Sequence, residues 1–168
     1  RSDIALLYRS NFLSRRLEEE LNSRSIPYKI FGGFRFFERA EVKDVIAYLR
    51  LSVNTSDDAA FERTVNNPPR GLGEKTIQVI RDYAKSNSLS MWESINELDK
   101  TGITSTRAIN ALNGFINIIN ELINDSNNLD LKSLIEKAVS LSTLTKYYES
   151  KKNEESLSKQ ENIEELLS

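Results

Sequence analysis

The sequence predicts a mainly α protein: a helical bundle with a helix-hairpin-helix element, preceded by one short β-α-β piece. Three observations carry this reading. A strand–helix–strand signature occurs once, before Gly32-Gly33. Beyond those glycines, apolar residues recur at helical spacing to the end of the chain. Helix-start and helix-stop residues punctuate that second stretch repeatedly.

Residues 4–9, Ile-Ala-Leu-Leu-Tyr-Arg, form a short apolar run suited to a buried strand. From Asn11 the period changes. Leu13, Leu17 and Leu21 recur every four residues, and Arg15–Glu19 and Arg16–Glu20 are spaced as i,i+4 ion pairs. This helix should end near Ser23, ahead of Ile26-Pro27, and Tyr28-Lys29-Ile30-Phe31 alternates as a second strand. The spacing then predicts an apolar helix face of Val42, Val45, Ile46, Leu49 and Val53. Ser56 with Asp57 and Asp58 opens a helix bearing Ala59, Ala60, Phe61 and Val65, which Pro68-Pro69 stops.

Gly71-Leu72-Gly73 is a tight link, after which Ile77, Ile80 and Tyr83 resume helical spacing. Ser90-Met-Trp-Glu93 and Ser158-Lys-Gln-Glu161 both match the capping box and place helix starts there. A long helix from about Thr104 should bury Ala108, Leu112, Phe115, Ile116, Ile119 and Ile123, and another should follow Asp130. Residues 149–159 are almost wholly polar and read as an exposed loop before a last helix with Ile163, Leu166 and Leu167.

Composition excludes more than it selects. Apolar residues make up 39% and charged residues 29% of the 168, ordinary for a globular domain. No apolar run approaches the roughly 18 residues of a membrane-spanning helix. There is no Cys and no His. Disulfides, thiolate nucleophiles, cysteine metal sites and the usual general base are thereby removed together. The net charge of −2 argues mildly against nucleic-acid binding and leaves local basic patches open. On composition alone, a helical interaction domain leads. The start at Arg1-Ser2-Asp3, without Met or a signal-like apolar block, reads as an internal boundary.

Three segments can carry chemistry. Pro68-Pro69-Arg70-Gly71-Leu72-Gly73-Glu74-Lys75-Thr76 lies between two predicted helices. Glycines admit close approach of a phosphate, amides at a helix N-terminus receive an anion, and Arg70 and Lys75 flank them. That is the plan of a helix-hairpin-helix element, which holds duplex backbone without reading bases. A plain helix–helix turn accounts for the same glycines and prolines. A nucleotide-binding P-loop is rejected, because Glu74 stands where its Lys must follow the last Gly and prolines stand where its strand must end. The second segment, Gly32-Gly33-Phe34-Arg35-Phe36-Phe37-Glu38-Arg39 with Lys43, mixes Arg with aromatics as nucleic-acid surfaces do. Core aromatics beneath a solvated charged rim are the favoured reading of these residue types by themselves. The third, Tyr8-Arg9-Ser10-Asn11, puts polar groups where a strand ends, facing a ligand or merely capping a helix.

Together these residues resemble the UvrD/Rep/PcrA family of superfamily 1A DNA helicases. Leu6-Leu7-Tyr8-Arg9-Ser10-Asn11 with Ser14-Arg15 is similar to the family's LYRxNxxSR segment. Ile26-Pro27-Tyr28 leading into Gly32 through Asp44 is similar to its next block. Asp57 to Arg63, Pro69-Arg70-Gly71-Leu72-Gly73, Ile95-Asn96-Glu97-Leu98 and Glu161 to Leu166 continue the likeness. It spans the chain, is densest over 4–85 and loosest over 99–158. Leu72 stands where relatives often have Ile, a volume-conserving change.

The resemblance implies that residues 1–31 begin a RecA-like motor subdomain, 2A, and that residues 32–168 are most of its helical insertion, 2B. It implies a DNA-binding and regulatory part of an ATP-dependent 3′-to-5′ helicase in DNA repair, bacterial and cytoplasmic. Arg9 and Asn11 would lie near single strand, and Gly71-Leu72-Gly73 would grip duplex. The DNA-binding set is then Arg9, Asn11, Arg35, Arg39, Lys43, Arg70, Gly71, Leu72, Gly73, Lys75 and Thr76. No catalytic residue, metal ligand or cofactor site is expected in this chain, since the Walker motifs lie outside it; ATP and Mg²⁺ would belong to the parent helicase. The implied partners are duplex and junction DNA, the remaining motor domains and repair proteins, with no membrane. The alternative is a free-standing helical protein-interaction domain.

Overall fold

The computed structural model describes residues 4–8, 13–30, 35–101 and 105–167. Nine helices are found among them, joined by one 3₁₀ turn at Phe36–Glu38. They are α1 (Ser14–Ser23), α2 (Ala40–Val53), α3 (Asp58–Thr64), α4 (Glu74–Asn87), α5 (Met91–Thr101), α6 (Thr106–Ser126), α7 (Leu131–Ser142), α8 (Leu144–Lys151) and α9 (Glu154–Leu167). Contacts divide the chain into two units: residues 1–43 with 145–168, and residues 44–144. The expected junction at Gly32-Gly33 lies outside the described residues.

In the larger unit, local signals and outcome agree closely. The Asp57 carboxylate caps α3, accepting the Ala60 N–H at 3.0 Å. The Ser90–Glu93 box closes in both directions: Ser90 Oγ accepts the Glu93 N–H at 3.2 Å, and Glu93 accepts the Ser90 N–H at 2.8 Å. Asp130 caps α7 through the Ser133 N–H at 2.7 Å. The core centres on Phe115, which no solvent reaches. Tyr48, Phe61 and Trp92 meet its ring edge-on at 6.3, 5.7 and 6.4 Å between centroids. Ile77, Ile80, Met91, Ile95, Leu112, Ile119 and Leu122 are buried in the same unit.

The period misplaces some faces. On α2 the buried set is Val42, Val45, Ala47, Tyr48 and Leu51, whereas Val53 is 81% exposed and Ile46 and Leu49 are half-buried. The larger Tyr48 and Leu51 turn inward, and Asp44 goes with them, paired to Arg63 at 2.7 Å. On α6, Leu122 is buried where Ile123 was expected, and Ile116 is only half-buried.

In the smaller unit more expectations fail. Residues 4–8 and 26–30 form no strand, and among the described residues there is no β-ladder. Ile4, Leu6 and Leu7 are 73, 55 and 96% exposed. An apolar run suits a strand, but only a neighbour's hydrogen bonds make it one. On α1 the buried residues are Ser14 and Glu18, with Leu13 exposed and Leu17 and Leu21 half-buried. Arg15–Glu19 pairs at 2.8 Å as expected, but Glu20 pairs with Arg24 at 2.5 Å in place of Arg16.

The loop expected over 149–159 is instead the end of α8 and the first turns of α9. Asn153 is the true cap, accepting the Ser156 N–H at 2.8 Å, so Ser158 lies inside a helix. Ser156 is buried and the Lys159 ammonium sits 5.6 Å from the Tyr148 ring centroid. Polarity signalled a loop here because these helical residues contribute stems and small hydroxyls where apolar side chains are usual.

A buried polar network holds this unit. Glu18 accepts the Phe36 N–H with both carboxylate oxygens at 3.2 Å. Arg39, 8% exposed, donates to Ser14 Oγ and to Asn162 Oδ1, the latter at 2.5 Å, and Asn162 Nδ2 donates to Glu41 at 2.5 Å. The guanidinium also stacks over Phe36, 5.2 Å from its centroid.

Candidate nucleic-acid interface

The hairpin between α3 and α4 is built from its own side chains. Asn66 Oδ1 accepts the N–H groups of Arg70 at 2.8 Å and Leu72 at 3.3 Å, while its Nδ2 donates to the Leu72 carbonyl at 2.7 Å. One amide side chain thus fixes both ends of the link. Leu72, only 4% exposed, anchors the tip in the core, and Gly71 takes φ +79°, which an L side chain resists.

Arg70 turns inward. Its guanidinium donates to the carbonyls of Thr64 at 2.8 Å, Val65 at 3.2 Å and Pro68 at 3.2 Å, and to the Tyr48 hydroxyl at 2.6 Å. It also lies over the Phe115 ring, 5.3 Å from the centroid. It therefore satisfies carbonyls at the C-terminal end of α3, where a cation is favoured. The Tyr48 hydroxyl donates to the Asn67 carbonyl at 2.6 Å, and burial pushes its pKa up against the opposing pull of Arg70.

What faces outward is backbone. Gly73 is the N-cap of α4, with no side-chain cap. The N–H groups of Gly73, Glu74 and Lys75 have no acceptor among the described residues, as the first turn of a helix leaves them. Lys75 is exposed and Thr76 half-buried beside them. Gly73 has an ordinary φ of −78°, and a Cβ placed there meets nothing within 4 Å. Neither its conformation nor the surrounding protein requires glycine. Chemically, this is a short row of free donors with a clear approach, suited to an anion.

The remaining candidates are distributed. Arg35 is exposed with its guanidinium 5.6 Å from the Tyr28 ring centroid. Lys43 is exposed on α2. Arg39 is held in the buried network, where desolvation pushes its pKa down against the pull of Glu18 and Glu41. Arg9 and Asn11 lie outside the described residues. Arg35, Arg39 and Lys43 belong to the smaller unit, and the hairpin set to the larger. Sequence reasoning missed Asn66 and Tyr48. Asn66, four residues before Arg70, could have been noticed as a side chain able to mimic a backbone turn; nothing local marks Tyr48. Among the described residues no group of three or more Asp and Glu could hold a metal ion, and no helix is long and apolar enough to cross a membrane.

The whole chain, residues 1–168, matches the UvrD-like helicase C-terminal domain. It is 42% identical over 166 residues to DNA helicase II of Escherichia coli, covering 99% of this chain and 23% of that protein. It is 41% identical over 167 residues to the ATP-dependent DNA helicase PcrA of Bacillus subtilis, covering 99% of this chain and 22% of that protein. DNA helicase II of Haemophilus influenzae is 41% identical over 165 residues, with 98% and 23% covered. The chain thus spans under a quarter of the length of these relatives, and by its full-length match it belongs to the UvrD-like helicase C-terminal domain family.

Proposed function

We propose that this chain is a DNA-binding and regulatory part of an ATP-dependent 3′-to-5′ DNA helicase acting in repair, and that its α3–α4 hairpin holds duplex through a backbone phosphate. The single observation that carries the DNA contact is Gly73, a glycine with an ordinary φ and open space where a side chain would go. Glycine is also a favoured N-cap residue, and close approach of an external group to the amides of Gly73, Glu74 and Lys75 is the further role that the open space supports. Within this reading Gly71, Leu72 and Arg70 shape the loop, Arg70 from inside, while Lys75 and Thr76 stand beside the phosphate. Arg35 and Lys43 offer a second basic surface, and Arg9 and Asn11 belong near single strand. ATP and Mg²⁺ act in the motor of the parent helicase, which is also the nearest partner.

The subdomain assignment, 2A for residues 1–31 and 2B for 32–168, belongs to the same proposal. Exposed Ile4, Leu6 and Leu7 are what a motor-sheet strand presents before its neighbours cover it. The test is titration of forked DNA, at several salt concentrations, with Gly73→Ala in the whole protein that carries this chain. Weaker binding, equal across sequences and with the helical CD signal unchanged, supports the reading. Wild-type affinity would leave Gly73 as part of a turn and the hairpin as a simple connector.

A further inference from the structure

Arg107 occupies the first turn of α6, and no sequence signal marks it. Its guanidinium lies against the hairpin: Nη2 is 3.4 Å, Nε 3.8 Å and Cζ 4.0 Å from the place a Cβ on Gly71 would take. The residue is exposed and has no hydrogen bond or ion pair with any described residue. The first turn of α6 contains no acidic side chain to balance it. A cation at that end of a helix is disfavoured by the helix dipole. Here it also stands beside the hairpin that leads into the amides of α4 and Lys75, a second positive end. Glu74, exposed in that first turn of α4, is the nearby opposite charge along the chain and makes no ion pair with Arg107. Arg107 in the first turn of α6 and Lys75 in the first turn of α4 are thus both exposed cations, and the guanidinium reaches the hairpin at Gly71, two residues before the α4 N-cap.

We infer that Arg107 completes the hairpin site, supplying a guanidinium to the same DNA backbone phosphate that the α4 amides receive. The inference rests on the hairpin reading above and adds a residue from a distant part of the chain. A guanidinium suits the task because its planar fork can take two phosphate oxygens at once.

The experiment compares Arg107→Gln, Arg107→Lys, Gly73→Ala and the Arg107→Gln/Gly73→Ala double variant in the whole protein, by titrating forked DNA at several salt concentrations. Arg107→Gln should weaken binding equally across sequences and reduce the log K against log salt slope by about 0.9, the loss of one phosphate contact. Arg107→Lys should keep the slope and recover part of the affinity. The double variant should lose less than the product of the two single fold-losses, because both act on one phosphate. Thermal midpoints and helical CD of the Arg107 variants should match wild type, since the side chain is exposed. If Arg107→Gln retains wild-type affinity and slope while Gly73→Ala weakens binding, the role of Arg107 is overturned and the hairpin reading stands. Multiplying fold-losses would overturn a shared phosphate. If Gly73→Ala has no effect, the hairpin reading fails, and this inference with it.

Discussion

The two units of this chain are held by different physics. In residues 44–144 the centre is an aromatic cluster around Phe115 inside a shell of Ile, Leu and Met. In residues 1–43 with 145–168 it is a charged network, Ser14, Glu18, Arg39, Glu41 and Asn162, beside Phe36. Apolar packing is non-directional and tolerates exchange of similar volumes. A buried network requires every partner, and removing one leaves the rest desolvated and unsatisfied. The comparison teaches why helical periodicity described the larger unit well and the smaller one poorly.

The largest effect should come from breaking that network. Arg39→Met keeps much of the side-chain volume but leaves buried Glu41 and Asn162 without their cation, and should cost about 3–5 kcal/mol. Hydrogen exchange of the α9 amides would read it, and a cost below about 1 kcal/mol would erase the contrast between the units. Within the larger unit, Gly71→Ala must place a methyl at φ +79° and should cost about 1–2 kcal/mol. Gly73→Ala changes the N-cap of α4 to a residue disfavoured there and should cost up to about 1 kcal/mol, less than Gly71→Ala because no positive φ is involved. Thermal unfolding followed by the single tryptophan, Trp92, separates these two glycines, and Gly73→Ala is the milder probe of DNA contact.

Ile119→Val, at a fully buried site in the same core, should cost about 0.5–1.5 kcal/mol. Urea denaturation measures this, and a cost as large as that of Arg39→Met would make both cores equally exacting. The smallest effect concerns acid. The Ala60 N–H holds the Asp57 carboxyl below its usual range, the Ser90 backbone does so for Glu93, and the Ser133 backbone for Asp130. Each folded value is depressed, so the stability they contribute is complete above the unfolded carboxylate values, about 3.9–4.3, and is lost as pH falls through the folded ones. Asp57→Asn keeps a good cap without a titrating group and should flatten part of the loss of Trp92 signal between pH 4 and lower values. An unchanged acid midpoint would remove Asp57 from that account.

Much of this protein followed from local chemistry. Helix starts at Asp57, Ser90, Ser105 and Asp130 are set by side chains that accept an amide three residues on, a requirement met within one turn of chain. The aromatic and aliphatic core of the larger unit follows from apolar residues at helical spacing, and the hairpin from its prolines and glycines. The tertiary structure alone decided what depended on distant partners. It denied residues 4–8 and 26–30 a ladder, because no described neighbour pairs with them. It buried Ser14 and Glu18 in place of leucines, because Phe36 and Arg39 meet them there. It turned Arg70 inward to the α3 carbonyls and brought Arg107, thirty-six positions after Gly71, against the same loop. Sequence spacing records neighbours within a helix or a turn, while a guanidinium goes to whichever acceptors the folded chain brings near it.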